Sequence, residues 1–265
     1  MLNILYEDET VLVVWKPVGM ESQSGHGFDA DMGSEIRRYL STGKPVDNHK
    51  LSTKSVEPYV GVIHRLDKPV SGVMVYAKTK NAAAALSKQV AEGKMHKKYL
   101  AVLCGKPVDN VEKYVDYLLK DEKENTSRIV DMGIKGGKRA ELICRVLESK
   151  TVEPYGELTL AGIELLTGRH HQIRVQMSGH GLPLWGDNRY NPAFQKGDAA
   201  MSGSAAERAA ETGGQEQMEK KKREPVRIPL RERRRSGTGR SGRALRVDVA
   251  LAAYELAFTH PETGE

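Results

Sequence analysis

Tyr59-Val60-Gly61-Val62-Ile63-His64-Arg65-Leu66-Asp67-Lys68-Pro69-Val70-Ser71-Gly72-Val73-Met74-Val75-Tyr76-Ala77-Lys78 holds two short apolar runs on either side of a charged connection. Residues 60–63 and 73–76 are rich in β-branched and aromatic side chains and predict two buried strands. Pro69 and Gly72 supply the turn between them. Asp67 is thereby placed at the end of a strand, beside His64 and Arg65. Strand ends that feed loops are where a rigid scaffold presents reactive groups. The same residue types also describe a plain charged hairpin turn, and at this stage both readings stand.

At 265 residues, with 39% hydrophobic and 29% charged residues, the chain has the balance of a water-soluble globular protein of one large or two small domains. No apolar run approaches the ~18 residues of a membrane span. The opening Met-Leu-Asn-Ile-Leu-Tyr-Glu-Asp lacks the basic start and long apolar core of a secretory signal, so a cytoplasmic protein is expected. Cys104 and Cys144 sit in apolar, strand-like runs without Cys-x-x-Cys spacing and are expected as reduced core residues. The formal charge of +6 is unevenly spread. Residues 220–243 hold eleven Lys and Arg against two acids, a local +9 that leaves −3 for the rest. A basic balance points toward nucleic acid, but here the whole excess comes from one segment.

Taken in order, residues 10–15 predict a buried strand stopped by Lys16-Pro17-Val18-Gly19. A short amphipathic helix is expected within 25–41, with Met32, Ile36, Tyr39 and Leu40 on one face and Gly43 as its stop, followed by a polar loop over 44–58. Asn81 is the expected cap of a helix through 82–91 that ends at Gly93. Strands follow at 95–105, 114–119, 140–147, 158–166 and 247–258. The second strong signal is Thr167-Gly168-Arg169-His170-His171-Gln172-Ile173-Arg174, and Gly181-Leu182-Pro183-Leu184-Trp185-Gly186-Asp187-Asn188-Arg189-Tyr190 follows it. Adjacent histidines invite a metal reading. On a strand or a helix, however, His170 and His171 point apart, and no acid or cysteine follows at ligand spacing, so no metal site is expected.

In combination these words resemble the signatures of the RluA-type pseudouridine synthase family, which rearranges selected uridines of structured RNA into their C-glycoside isomer. His-Arg-Leu-Asp with Ser71-Gly72 and Ala77-Lys78 carries one signature, and Gly-Arg-x-His-Gln-Ile-Arg the other. Lys16-Pro17-x-Gly19, Lys97-x-Tyr99-x-Ala101, the Gly-Asp-x-x-Tyr loop and the ending Phe258-Thr259-His260-Pro261 agree with them. The likeness covers roughly residues 5–192 and 244–265. It implies Asp67 as catalytic carboxylate, Tyr99 as the ring that stacks on the target uracil, and Arg174 as the ion-pair partner of Asp67. It further implies RNA contacts by His64, Arg65, Arg169, His171 and Gln172. Arg65 would fill the gap left by an extruded base. Val70, Gln176 and Asn191 stand where relatives often carry Thr, His and Gly. These departures bear on substrate choice more than on the reaction. No extra RNA-binding domain is expected before Leu5, so target selection would rest on the catalytic body and the basic segment.

The fold that this resemblance implies is α+β: a mixed, largely antiparallel sheet flanked by helices, with residues 1–194 and 244–265 as one catalytic domain. Residues 195–243, too poor in apolar side chains to repay ordering entropy, are expected as a disordered, low-complexity basic insertion. Isomerisation involves no net redox change, so no cofactor is expected, and the partner would be structured ribosomal or transfer RNA bound by a monomer. Two rivals remain: a non-catalytic RNA-binding protein acting through residues 220–243, and a uridine-directed glycosylase using Asp67.

Overall fold

In the computed structural model, residues 2–23, 30–42, 57–195 and 247–265 are described. Residues 196–246, which hold the basic segment, lie outside them, as do Gly43, most of the 44–58 loop and residues 25–29 of the stretch expected to contain the first helix. Ten strands, three α-helices and one short 3-10 helix (Pro192–Phe194) are present among the described residues. β1 (Asn3–Glu7) and β2 (Val11–Lys16) open the chain, then α1 (Met32–Thr42), β3 (Gly61–Val62), β4 (Ser71–Ala77) and α2 (Lys80–Ala91). β5 (His96–Cys104), β6 (Val111–Asp121), β7 (Thr126–Val130), β8 (Lys138–Val152) and β9 (Gly156–Leu165) follow, then α3 (Gln172–Gly179) and β10 (Leu251–Ala257).

The strands form one sheet in the order β1-β2-β4-β10-β5-β9-β8-β6-β7, with β3 paired to β4. Every pairing is antiparallel except β10 on β4. The mixed, mainly antiparallel sheet implied by the resemblance is therefore what forms. β2 and β4 are apolar on both faces because both faces are covered. Leu12, Val14, Met74 and Tyr76 pack with Met32 and Ile36 of α1. Val11, Val75 and Ala77 pack with Ala82 and Leu86 of α2. Cys104 and Cys144 are both buried and free. Among the described residues no helix is long and apolar enough to cross a membrane.

The first residue of α2 differs from expectation. Thr79, in an extended conformation, is the N-cap and its side chain accepts from the Ala82 N–H at 3.1 Å. The hydroxyl meets the orphan donor two residues before Asn81 can, so Asn81 lies inside the first turn. At the other end Gly93 takes the positive φ that releases the chain, as its position suggests.

The last strand, β10, is inserted between β4 and β5, so the final part of the chain ties the two halves of the sheet together. At that seam Gly72 has φ +138°, and a β-carbon there would overlap the carbonyl oxygen and nitrogen of Ala253. Gly72→Ala should cost at least about 2 kcal/mol and lower Tm well beyond Gly93→Ala. Gly93→Ala, with open space around it, should lose only ~1 kcal/mol from its left-handed backbone. Thermal unfolding of the two variants checks the ranking.

Candidate active site

Asp67 lies in the connection from β3 to β4, and its carbonyl accepts from the Val70 N–H to close the turn. Two anchors hold this connection from outside. The Ser22 hydroxyl donates to the Leu66 carbonyl at 2.8 Å and accepts from the Leu66 N–H at 3.0 Å. Lys16, the last residue of β2 and fully buried, donates to the carbonyls of Pro17, Met20 and Lys68 at 3.0, 2.6 and 3.3 Å. The Gly19 N–H adds a bond to the same Lys68 carbonyl. The loop after β2 thus grips the chain on both sides of Asp67. Burial pulls Lys16 down to about 8, against the opposing charges of Asp67 and Glu21. A lysine that ends an apolar strand must either snorkel to water or find acceptors. Here it finds three.

Arg174 comes from the first turn of α3 and is 4% exposed. Its strongest bonds go to Asp187, a fully buried carboxylate: Nε to Oδ2 and Nη2 to Oδ1, both at 2.7 Å. Nη1 stands 3.5 Å from Asp67 Oδ2. The expected partnership of Arg174 with Asp67 is therefore a longer contact beside a bidentate pair with Asp187, a loop residue for which the sequence alone implies no role. The two carboxylates respond in opposite directions. Asp187 is held below the usual range because Arg174 and the Arg189 and Tyr190 N–H groups outweigh its burial. Asp67 is pushed above that range by burial, which Arg174 and His170 only partly offset.

Tyr99 sits on β5 between Ile163 of β9 and Ala253 of β10. Burial, reinforced by the charge of Asp67, pushes its phenol upward and keeps it protonated. Topology therefore brings Asp67, Tyr99 and Arg174 together from three separate stretches of chain.

The residues expected to touch RNA divide into two groups. Arg65 and Arg169 are exposed, the latter with Nε donating to the Arg139 carbonyl at 2.8 Å. His64, His171 and Gln172 are turned inward. His64 is buried beside β4, where Nε2 accepts from the Val75 N–H at 3.3 Å and Nδ1 has no hydrogen-bond partner among the described residues. Burial and the charge of Lys97 take its imidazole down to about 3. Gln172 accepts from the Arg169 N–H and the Thr167 hydroxyl and donates to the Glu141 carbonyl, so it builds the loop that leads into α3. His171 has φ +52°, and this left-handed backbone brings its ring against His170, with centroids 3.7 Å apart. The expectation that the two rings point apart fails for that reason: it assumed regular helix or strand, and His171 is neither. Among the described residues no cluster of three or more His, Cys, Asp or Glu side chains is disposed to hold a metal ion.

Comparison with known proteins gives the family. A family model described as RNA pseudouridylate synthase matches residues 10–179, and the chain belongs to that family. It is 32% identical over 71% of its length to ribosomal large subunit pseudouridine synthase C of Buchnera aphidicola, covering 54% of that protein. It is 33% identical over 79% of its length to ribosomal large subunit pseudouridine synthase D of Zymomonas mobilis, covering 62% of that protein. The chain thus spans between half and two thirds of these curated relatives. A solved structure, human RNA pseudouridylate synthase domain containing 1, superposes with a TM-score of 0.60 at 22% identity. That superposition covers 97% of this chain and 78% of the human one, and shares the fold.

The Arg174–Asp187 pair yields a stability test. Asp187→Ala strands a buried guanidinium and should cost ~3–5 kcal/mol, a Tm loss on the order of 10 °C. Asp187→Asn keeps one acceptor and should cost less, and differential scanning calorimetry of both variants checks the order.

Proposed function

We propose that this protein is an RNA pseudouridine synthase acting on specific uridines of large-subunit ribosomal RNA, with Asp67 as its catalytic carboxylate and residues 1–194 and 244–265 as one catalytic unit. The observation that carries this reading is the placement of Asp67. It is a carboxylate with a 31% exposed side chain, backed by a buried arginine already committed to a second carboxylate and accompanied by a buried tyrosine. The relatives' names supply the ribosomal target, and transfer RNA is the competing substrate that the test below separates.

The reaction breaks the bond from uridine C1′ to N1 and forms one from C1′ to C5. The C5 proton is lost and N1 gains one, so atoms and electrons balance within the substrate and no cofactor has to take part. Asp67 serves as nucleophile at C1′ or C6, or as the base that assists elimination. In each role it must be ionised. The long contact with Arg174 favours that form without locking the carboxylate into a bidentate pair. The target base has to leave its stack first, at a cost of a few kcal/mol. In this reading Tyr99 stacks on the extruded uracil, and Arg65, exposed on the Asp67 connection, occupies the space the base leaves. A protein that only binds RNA through its basic segment has no use for this buried constellation.

Asp67→Asn should lower product formation by at least about a thousandfold while RNA affinity stays within twofold. Carbodiimide mapping of pseudouridine in RNA from cells with wild-type, variant or no protein reads activity and names the target. Retained turnover by Asp67→Asn removes the assignment. The variant should also be a sound folding control. Because burial raises Asp67 in the folded state, its ionisation opposes folding at neutral pH, and that penalty disappears as pH falls through its raised value. The Tm of Asp67→Asn at pH 7 should therefore equal or exceed that of the wild type.

The same shift has a kinetic consequence. If only ionised Asp67 reacts, single-turnover kcat/KM rises with pH along an acid limb centred above the ordinary carboxylate value of about 4. A profile that is flat down to pH 4 contradicts this.

A further inference from the structure

We infer that His171 is a positioning residue for Asp67: a neutral imidazole, fixed by the Tyr190 hydroxyl in the tautomer that presents Nε2–H to the Asp67 carboxylate. This deepens the assignment of Asp67 as the reacting group and rests on it.

Three observations converge. The Tyr190 oxygen accepts the Ser127 N–H at 2.9 Å and lies 2.7 Å from His171 Nδ1. With its oxygen accepting from the backbone, the phenol directs its own proton to Nδ1, which makes Nδ1 the acceptor. The ring proton must then be on Nε2, and Nε2 is the atom 3.5 Å from Asp67 Oδ2. A donor contact of that length before substrate is bound belongs to a site that tightens on binding. Second, the ring cannot swing away. Its side chain is 7% exposed, stacked on His170 and set edge-on to Tyr190 with centroids 5.5 Å apart. His170 is itself held by Ser127 Oγ at 2.9 Å from its Nδ1.

Third, the backbone is strained for this purpose. His171 has φ +52° and ψ +25° at the N-cap of α3, a conformation that a side chain with a β-carbon adopts only when its surroundings enforce it. It makes no side-chain cap bond there, so helix capping does not explain it. The conformation folds the ring back beneath Asp67, onto the same Oδ2 that Arg174 approaches.

Neutrality matters as much as placement. The groups around the ring are His170, Arg174, Arg189 and Asp187, with Asp67 in front and Tyr190 behind. Burial first, then the neighbouring arginines, take His171 down to about 3. An imidazolium would quench Asp67 as a second full counter-charge. A neutral N–H donor orients the carboxylate and leaves its charge available, while Tyr190 sets the tautomer.

The experiment uses the whole protein. Ring-¹⁵N-histidine labelling, with the His171 signal identified by its loss in His171→Gln, should show a pyrrole-type Nε2 and a pyridine-type Nδ1 unchanged from pH 5.5 to 8. The opposite tautomer, or titration near 6.5, overturns the proposal without any folding variant. Single-turnover kinetics supply the second arm. His171→Gln, which keeps an amide N–H near the Nε2 position, should retain kcat within about fivefold. His171→Leu should lose kcat by about a hundredfold with KM for RNA within twofold. Equal kcat values for the Leu variant and the wild type overturn the positioning role while inactive Asp67→Asn leaves the catalytic reading intact. An active Asp67→Asn removes that reading instead, whatever the resonances show.

Discussion

The bidentate bond between Arg174 and Asp187 is the constraint on which the site depends. A guanidinium buried to this depth is tolerable only if its charge is compensated and its donors are met, and Asp187 does both with two 2.7 Å bonds. Because Asp187 meets that demand, Asp67 is spared it. Two carboxylates share one arginine, and their environments drive them apart: the inner one is held ionised as structure, while the outer one is raised, longer in its contact and partly open. Divergence of paired titratable groups is how a fold separates a structural acid from a reactive one. Tyr190 joins the two layers, its ring 5.1 Å from the Arg174 guanidinium carbon and its hydroxyl on His171.

Topology then explains why parts so distant in sequence meet. β10 crosses back to the middle of the sheet and pairs with β4 on one side and β5 on the other. That places the connection bearing Asp67 across one strand from Tyr99. β9, next to β5, delivers the chain into the Thr167–Gln172 bonds that start α3, and so to Arg174. Each approach is fixed by backbone pairing, which holds geometry more tightly than side-chain packing can. The close passage of Gly72 against Ala253 is a local cost of bringing β10 in parallel.

Much of this was legible from residues alone where local chemistry decides. Alternating and continuous apolar runs marked most strands, and Gly93 marked the end of α2. The Asp67 turn stood out because a charged word interrupts two β-branched runs. What stayed hidden depends on long-range partners. Asp187 is thirteen residues from Arg174, and nothing local says that its carboxylate is the buried one. Lys16 read as the end of a strand because its three acceptors come from two different loops. For His64 and Gln172 the resemblance implies RNA contacts, and nothing local says that the first is buried against the Val75 N–H of β4 or that the second closes a loop on the Glu141 carbonyl of β8. The stacked histidines required a positive φ at His171, which residue type does not announce.

The departures from the common pattern of relatives follow the same division. Val70, where a hydroxyl residue is frequent, is 3% exposed within the main core, and its backbone N–H alone closes the Asp67 turn. An apolar side chain there removes a buried hydroxyl that would need its own acceptor. Asn191, in place of a frequent glycine, is buried with its amide donating to the Leu184 carbonyl and its oxygen capping Ala193. Gln176 is fully buried and donates to Asp116, and its own oxygen has no partner among the described residues. Val70 meets Asp67 only through its backbone N–H, the Gln176 and Asn191 side chains bond elsewhere, and each is bound up in packing or turn formation. They therefore alter the frame around the site more directly than its chemistry.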